Sequence, residues 1–129
     1  MTITVTPIYA GLLALLFIAL SVRVIRYRQG AGISLGDAGN VAMQRRIRAQ
    51  ANFAEYAPLG LILLLAIEMQ GAPALALHAL GLLLLVGRTA HGIGLTRAQP
   101  NPALRVGGMF LTLAALALMA LGTLLHAIF

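Results

Sequence analysis

Apolar residues along this chain fall into four long blocks, approximately Pro7 to Ile25, Phe53 to Met69, Ala74 to Leu95 and Ala103 to Phe129. Each is close to the roughly 20 residues an α-helix needs to cross a hydrocarbon core about 30 Å thick. Runs such as LLALLFIAL and ALGLLLLVG continue without a period of two, so lipid-facing β-strands are not expected. The pattern predicts four membrane-spanning helices. The first block has neither the basic start nor the small-residue cleavage site of a signal peptide and is read as a span.

The polar stretches between the blocks predict the helix ends. RYRQGAGISLGDAGN is rich in Gly and polar residues and closes on a turn, with Asn40 placed to cap a helix that starts near Asn40 or Val41 and runs to about Met69. That helix would project beyond the bilayer before entering it. Gly71 and Pro73 predict a tight turn, and Pro100 and Pro102 interrupt the chain again while suiting the start of the fourth span. With no long linker, low-complexity tract or tandem repeat, residues 1–129 read as a single domain, an all-α, four-helix transmembrane bundle.

Composition agrees with the pattern. A chain that is 60% hydrophobic and 9% charged, with a mean hydropathy of +0.95, lies outside the range of ordinary soluble domains. Its sequence pI near 11.5 would point to nucleic acid in a soluble protein, but here the location of the charge decides otherwise. All nine basic residues are arginines, at positions 23, 26, 28, 45, 46, 48, 88, 97 and 105, in or beside the first and third connections; EMQGAPA, the second, has none. By the positive-inside rule the two Arg-rich connections are expected in the cytoplasm, with both termini and the QGAP turn outside. The expected partners are the lipid bilayer and not nucleic acid. Without cysteine the chain can form no disulfide, thiolate nucleophile or Cys-based metal site, so any sulfur chemistry needs a thiol brought by a substrate, and no metal centre is expected.

The candidate chemistry begins in RIRAQANFAEYAP, where costly side chains sit at the mouth of a membrane span. At 100° per residue, Arg48, Asn52 and Glu55 fall within about 60° of helix surface, flanked by Arg45 and Tyr56. A charge near the bilayer centre costs about 2.5–3.5 kcal/mol, so Glu55 is expected to face a bundle or cleft and find a cation. One explanation is an interfacial Arg48–Glu55 ion pair that fixes helix register, joined by Arg88. That leaves Gln50 and Asn52 unaccounted for. A site of mixed sign, with guanidinium forks, amides and a carboxylate, suits a small zwitterion: arginines take its carboxylates and Glu55 its ammonium.

The third block adds GRTAHGIGL, in which Arg88 and His91 share a helical face. Taken alone, His91 reads as an interfacial histidine bonded to a backbone carbonyl; Arg88 beside it favours a ligand role. His78 and His126 read as interfacial residues, Glu68 as a solvated helix terminus, and Tyr9 and Tyr27 as interface anchors. VGGM at 106 to 109, with the small residues of LAALALMALG, predicts close helix packing. A four-helix drug exporter of similar length would carry an acid in its first helix, and YAGLLALLFIALSV has none.

RAQANFAEYAP, Arg48 to Pro58, resembles the signature of the MAPEG proteins, membrane-associated proteins in eicosanoid and glutathione metabolism, in which an Arg-Ala-x-x-Asn-x-x-Glu run opens the second of four helices. The following LILLLAIEMQGA and LHALGLLLLVGRTAHGIGL are similar to the small bacterial inner-membrane members. The likeness covers about residues 8 to 125. It implies a homotrimer with glutathione bound as substrate between neighbouring subunits near the cytoplasmic face. Carried over by position, it implies glutathione contacts from Arg26, Arg48, Gln50, Asn52, Glu55 and Tyr56, with Arg88 and His91 at the matching third-helix positions. Leu95 stands where several family enzymes have a Tyr. The arginine that stabilises the thiolate follows the third helix at a variable spacing, leaving Arg105 and Arg97 as candidates, Arg105 preferred.

The activity so implied is that of a glutathione transferase or peroxidase: a guanidinium stabilises the bound thiolate, which attacks a lipophilic electrophile or hydroperoxide arriving from the bilayer. The alternative is a non-catalytic membrane protein of the same fold that only binds a ligand or partner.

Overall fold

A computed structural model describes residues 2–129. The described residues contain four α-helices: α1 (Thr6–Ala31), α2 (Val41–Met69), α3 (Ala74–Thr96) and α4 (Pro102–Ile128). All four are long and apolar enough to cross a membrane. At about 1.5 Å per residue, α2 is about 43 Å long, more than an untilted crossing of the hydrocarbon core requires.

Local chemistry sets the boundaries. Asn40 caps α2, its Oδ1 accepting from the Met43 amide at 3.0 Å, and Asn101 does the same for α4 through Leu104 at 3.1 Å. Pro102 occupies the first turn of α4, where a missing N–H leaves no bond unmade. Helix α1 continues six residues past the apolar block ending at Ile25, because Gly32 adopts the left-handed conformation (φ 66°) that lets the Ile33 amide bond back to Arg28 O at 3.0 Å. Arg28 then ties the following loop down by donating to Gly36 O at 2.9 Å.

Helices α2 and α3 pack against each other and against both outer helices, whereas α1 and α4 do not touch. The four therefore form a diamond in section, with α1 and α4 at opposite corners. Inside it lie Leu13, Met43, Leu64, Leu84, Ala115 and Met119. Since lipid is as apolar as a leucine side chain, helix association here depends on close packing. Glycines permit it. A Cβ at Gly60 would sit 2.6 Å from Leu84 Cδ2, one at Gly94 would sit 2.5 Å from the Arg105 amide, and one at Gly108 would collide with the His91 backbone. Gly108 of the VGGM run thus packs as expected, while Gly107 faces open space.

Two expectations are overturned at the far end of the bundle. Glu68 is not a solvated terminus but is 6% exposed, and its carboxylate accepts from the amides of Thr4, Val5 and Thr6 at 2.6, 2.7 and 2.6 Å. The leading amides of a helix have no partner within it, and a carboxylate from α2 satisfies those at the start of α1. Tyr9 is not an interface anchor: it is buried against Gly81, its hydroxyl donating to His78 O at 2.9 Å, with the His78 ring set edge-on to its own. Tyr27 also works inside the protein, donating to Asn40 Oδ1 at 3.2 Å and stacking beneath Arg46.

Candidate functional site

At the end of the bundle that carries the arginines, α2, α3 and α4 splay to leave a cavity of about 580 Å3. Its volume falls in the range of about 300–1,000 Å3 typical of small-molecule sites. Arg48 and Asn52 of α2, His91 and Leu95 of α3, and Arg105 of α4 line it, and α4 adds an apolar wall of Val106, Met109, Phe110 and Leu113. Phe110 and Val106 are 71% and 64% exposed, so this wall continues onto the outer surface of the bundle.

Behind the cavity, Arg88 is 1% exposed. Nη1 donates to Asn52 Oδ1 at 2.6 Å, Nε to Thr112 Oγ1 at 2.8 Å, and Nη2 points to Met109 Sδ at 3.8 Å. The Tyr56 ring lies 5.3 Å from the guanidinium carbon. No carboxylate is among these partners. Arg88 is held by neutral acceptors and a π face, an arrangement that fixes the Asn52 side chain at the cavity edge. The expected link from Arg88 to the Arg48–Glu55 pair is absent: Arg88 bridges α2 and α4 through Asn52 and Thr112 instead.

Arg48 and Glu55 do form an ion pair, Nη1 to Oε1 at 3.5 Å, with both side chains about half exposed. Exposed pairs of this kind contribute about 0–1 kcal/mol. The pair leaves the cavity open.

The remaining candidates separate. Gln50 turns toward α1, its Nε2 3.4 Å from Ser21 Oγ, and Arg26 is exposed on α1; neither lines the cavity. Arg45 and Arg97 line a different basin with Arg23 and Arg46. Arg97 and Arg105, alternatives in the sequence, thus lie in different places. Sequence reasoning missed Thr112, Met109, Phe110 and Leu113. A signal existed: Arg105, Met109 and Thr112 are spaced by four and three, and Thr112 is a lone hydroxyl in the apolar run MFLTLAAL.

The sequence profile of the MAPEG family matches residues 6–125, nearly the whole chain. The chain belongs to the MAPEG family. It is similar to the inner membrane protein YecN of Escherichia coli (strain K12), with 38% identity over 120 residues that cover 93% of this chain and 90% of the relative. The YecN protein of Escherichia coli O6:H1 matches to the same extent. Within this MAPEG chain, the signature residues Arg48, Asn52 and Glu55 lie along one face of α2, and the first two border the cavity. Gln50, between them in sequence, points to another helix.

Proposed function

We propose that this protein binds glutathione, or another small zwitterionic thiol, in the cavity between α2, α3 and α4 and activates its sulfur toward lipophilic electrophiles. The supporting observation is convergence: Arg48 and Asn52, His91, and Arg105 come from three helices and meet around one cavity. In this reading Arg48 takes a carboxylate of the ligand, Glu55 beside it the ammonium, and Asn52, held by Arg88, a backbone amide. Arg105 takes the sulfur. A free thiol has a pKa near 8.5; lowering it by two units corresponds to about 2.7 kcal/mol, within reach of one charge-assisted interaction in a partly dry cleft. Arginine stays protonated, so it stabilises the thiolate and the thiol proton passes to water.

The second substrate comes from the bilayer along Val106, Phe110 and Leu113, whose apolar surface runs from the outside of the bundle into the cavity. With a chlorinated nitrobenzene, the thiolate sulfur bonds to the ring carbon as the carbon–chlorine bond breaks and chloride leaves. With a hydroperoxide, two thiols reduce the O–O bond to an alcohol and water and become a disulfide.

Arg26 and Gln50 stand outside the cavity of their own subunit, so their part in ligand binding requires a neighbour. A homotrimer with the ligand between subunits meets that need. The proposed location is the bacterial inner membrane, with the Arg-rich connections cytoplasmic and both termini outside.

A binder without catalysis is the second reading, favoured by Leu95, an apolar side chain in the cavity wall where several family enzymes carry a Tyr. Purified protein with glutathione and 1-chloro-2,4-dinitrobenzene separates the two. Enzymatic conjugation lost in Arg105→Ala and kept in Arg97→Ala supports the transferase. Glutathione binding without turnover favours the binder, and absence of glutathione binding defeats both.

A further inference from the structure

Arg97 occupies a second concave site, of about 490 Å3, lined by Arg23, Ala42, Arg45, Arg46, Thr96, Arg97 and Ala98. It lies where the C-terminal end of α3 meets α1 and the first turn of α2. Four guanidiniums line it and no carboxylate does. Charge placed only to orient the chain in a membrane needs no convergence and no fixed geometry. These arginines converge, and two of them are held in place. Arg46 stacks 4.1 Å above the Tyr27 ring and donates to Ala42 O at 3.0 Å. Arg23 donates to Thr96 O at 3.3 Å, which offsets the partial negative charge at the end of α3. With two arginines held, Arg45 and Arg97 stand at the same basin with their guanidinium forks available to a ligand. Like charges gathered around one hollow repel one another, so an anion that bridges them lowers the energy of the assembly.

We propose that this basin is a binding site for a phosphate anion, with the headgroup of an anionic phospholipid as its occupant. The guanidinium fork matches phosphate oxygens bidentately, and basic pockets between membrane helices at the cytoplasmic side are suited to such headgroups. The basin lies at the arginine-bearing ends of α1 and α3, each long enough to span, which places it at headgroup level for either leaflet orientation. Its lining shares no residue with the thiol cavity, so the proposal stands or falls independently of the reading above.

The test uses the delipidated full chain in neutral detergent, titrated with phosphatidylglycerol or phosphatidylcholine and followed by native mass spectrometry. Phosphatidylglycerol is expected to be retained preferentially, and each guanidinium removed in Arg45→Gln, or in Arg45→Gln combined with Arg97→Gln, is expected to reduce retention about fivefold. Thermal unfolding of the variants distinguishes lost binding from lost fold, and Arg45→Lys, which keeps the charge without the fork, is expected to retain more lipid than Arg45→Gln and less than the natural protein. A second arm adds glycerol 3-phosphate. If millimolar amounts fail to displace the lipid, the occupant is a membrane lipid; displacement keeps the phosphate site and assigns it to soluble phosphoesters. Equal retention of the two lipids, or retention unchanged in the double variant, overturns the proposal.

Discussion

Arg88 of α3 holds Asn52 of α2 through a hydrogen bond of 2.6 Å between Nη1 and Oδ1, and thereby sets the orientation of an amide at the cavity edge without itself lining the cavity. In the proposed site Arg88 would act as a positioning residue, and its loss should weaken ligand binding while leaving the protein folded. Arg88→Met removes the desolvation cost of a buried charge but also takes the donors from Asn52 Oδ1 and Thr112 Oγ1, and a buried acceptor left without a donor costs about 1–3 kcal/mol. The variant is expected to lower stability in thermal unfolding by no more than about 1–3 kcal/mol, while glutathione affinity by calorimetry falls tenfold or more, the loss expected when a hydrogen bond to a charged group worth about 1.5–3 kcal/mol no longer holds Asn52. Unchanged affinity would remove Arg88 from the site.

The opposite separation is expected at Glu68. Glu68→Gln keeps one oxygen where the carboxylate offers two, leaving at least one of the Thr4, Val5 and Thr6 amides facing an NH2 group. The start of α1 should loosen, at a cost of about 1.5–3 kcal/mol read from thermal unfolding or from faster amide exchange at residues 4 to 6. Glutathione affinity should not change, because Glu68 lies about 24 Å along α2 from Asn52. An unfolding midpoint equal to that of the natural protein would contradict the clamp.

Glycines 107 and 108 are adjacent and should respond in opposite ways. A Cβ at Gly108 would meet the backbones of His91 and Gly87, neither of which can yield without parting α3 from α4. Gly108→Ala should destabilise the protein by several kcal/mol or prevent its accumulation in the membrane, as overpacking against backbone does. Gly107→Ala meets nothing and should stabilise by up to about 1 kcal/mol through helix propensity. Equal yields and melting temperatures for the two variants would contradict the tight α3–α4 seam.

At the exposed Arg48–Glu55 pair, stability and binding should again part. Glu55→Gln removes a surface ion pair worth about 0–1 kcal/mol, so unfolding and the proposed trimer should be little affected. Glutathione affinity should fall at least tenfold, because the carboxylate that would take the ligand's ammonium is lost. Unchanged calorimetric affinity together with a dissociated oligomer would make Glu55 a structural residue.

The spans, the cap at Asn40, the turn at Gly71 and the Arg48, Asn52 and Glu55 face were legible in the chain itself. Each depends on hydropathy or helical period within one segment, and α2 begins at Val41 and ends at Met69 as the pattern implies. Direction around a helix was legible only where the residues share a face: Gln50 stood in the same motif, yet its place on α2 turns it to Ser21 of α1.

What the sequence alone determined is the class of the molecule: four apolar helices, their arginines gathered toward one end, and a polar run in α2 recognisable as a MAPEG signature. Only the tertiary structure decided what each polar side chain meets. Glu68 reads as a wet helix end until α1 is brought against it and its first amides need an acceptor; Arg97 stays a candidate beside the preferred Arg105 until α4 carries Arg105 to the cavity and the turn before it leaves Arg97 in the arginine basin. The physical reason is that hydropathy and period are properties of one helix, whereas the partner of a hydrogen bond or a charge belongs to the helix beside it.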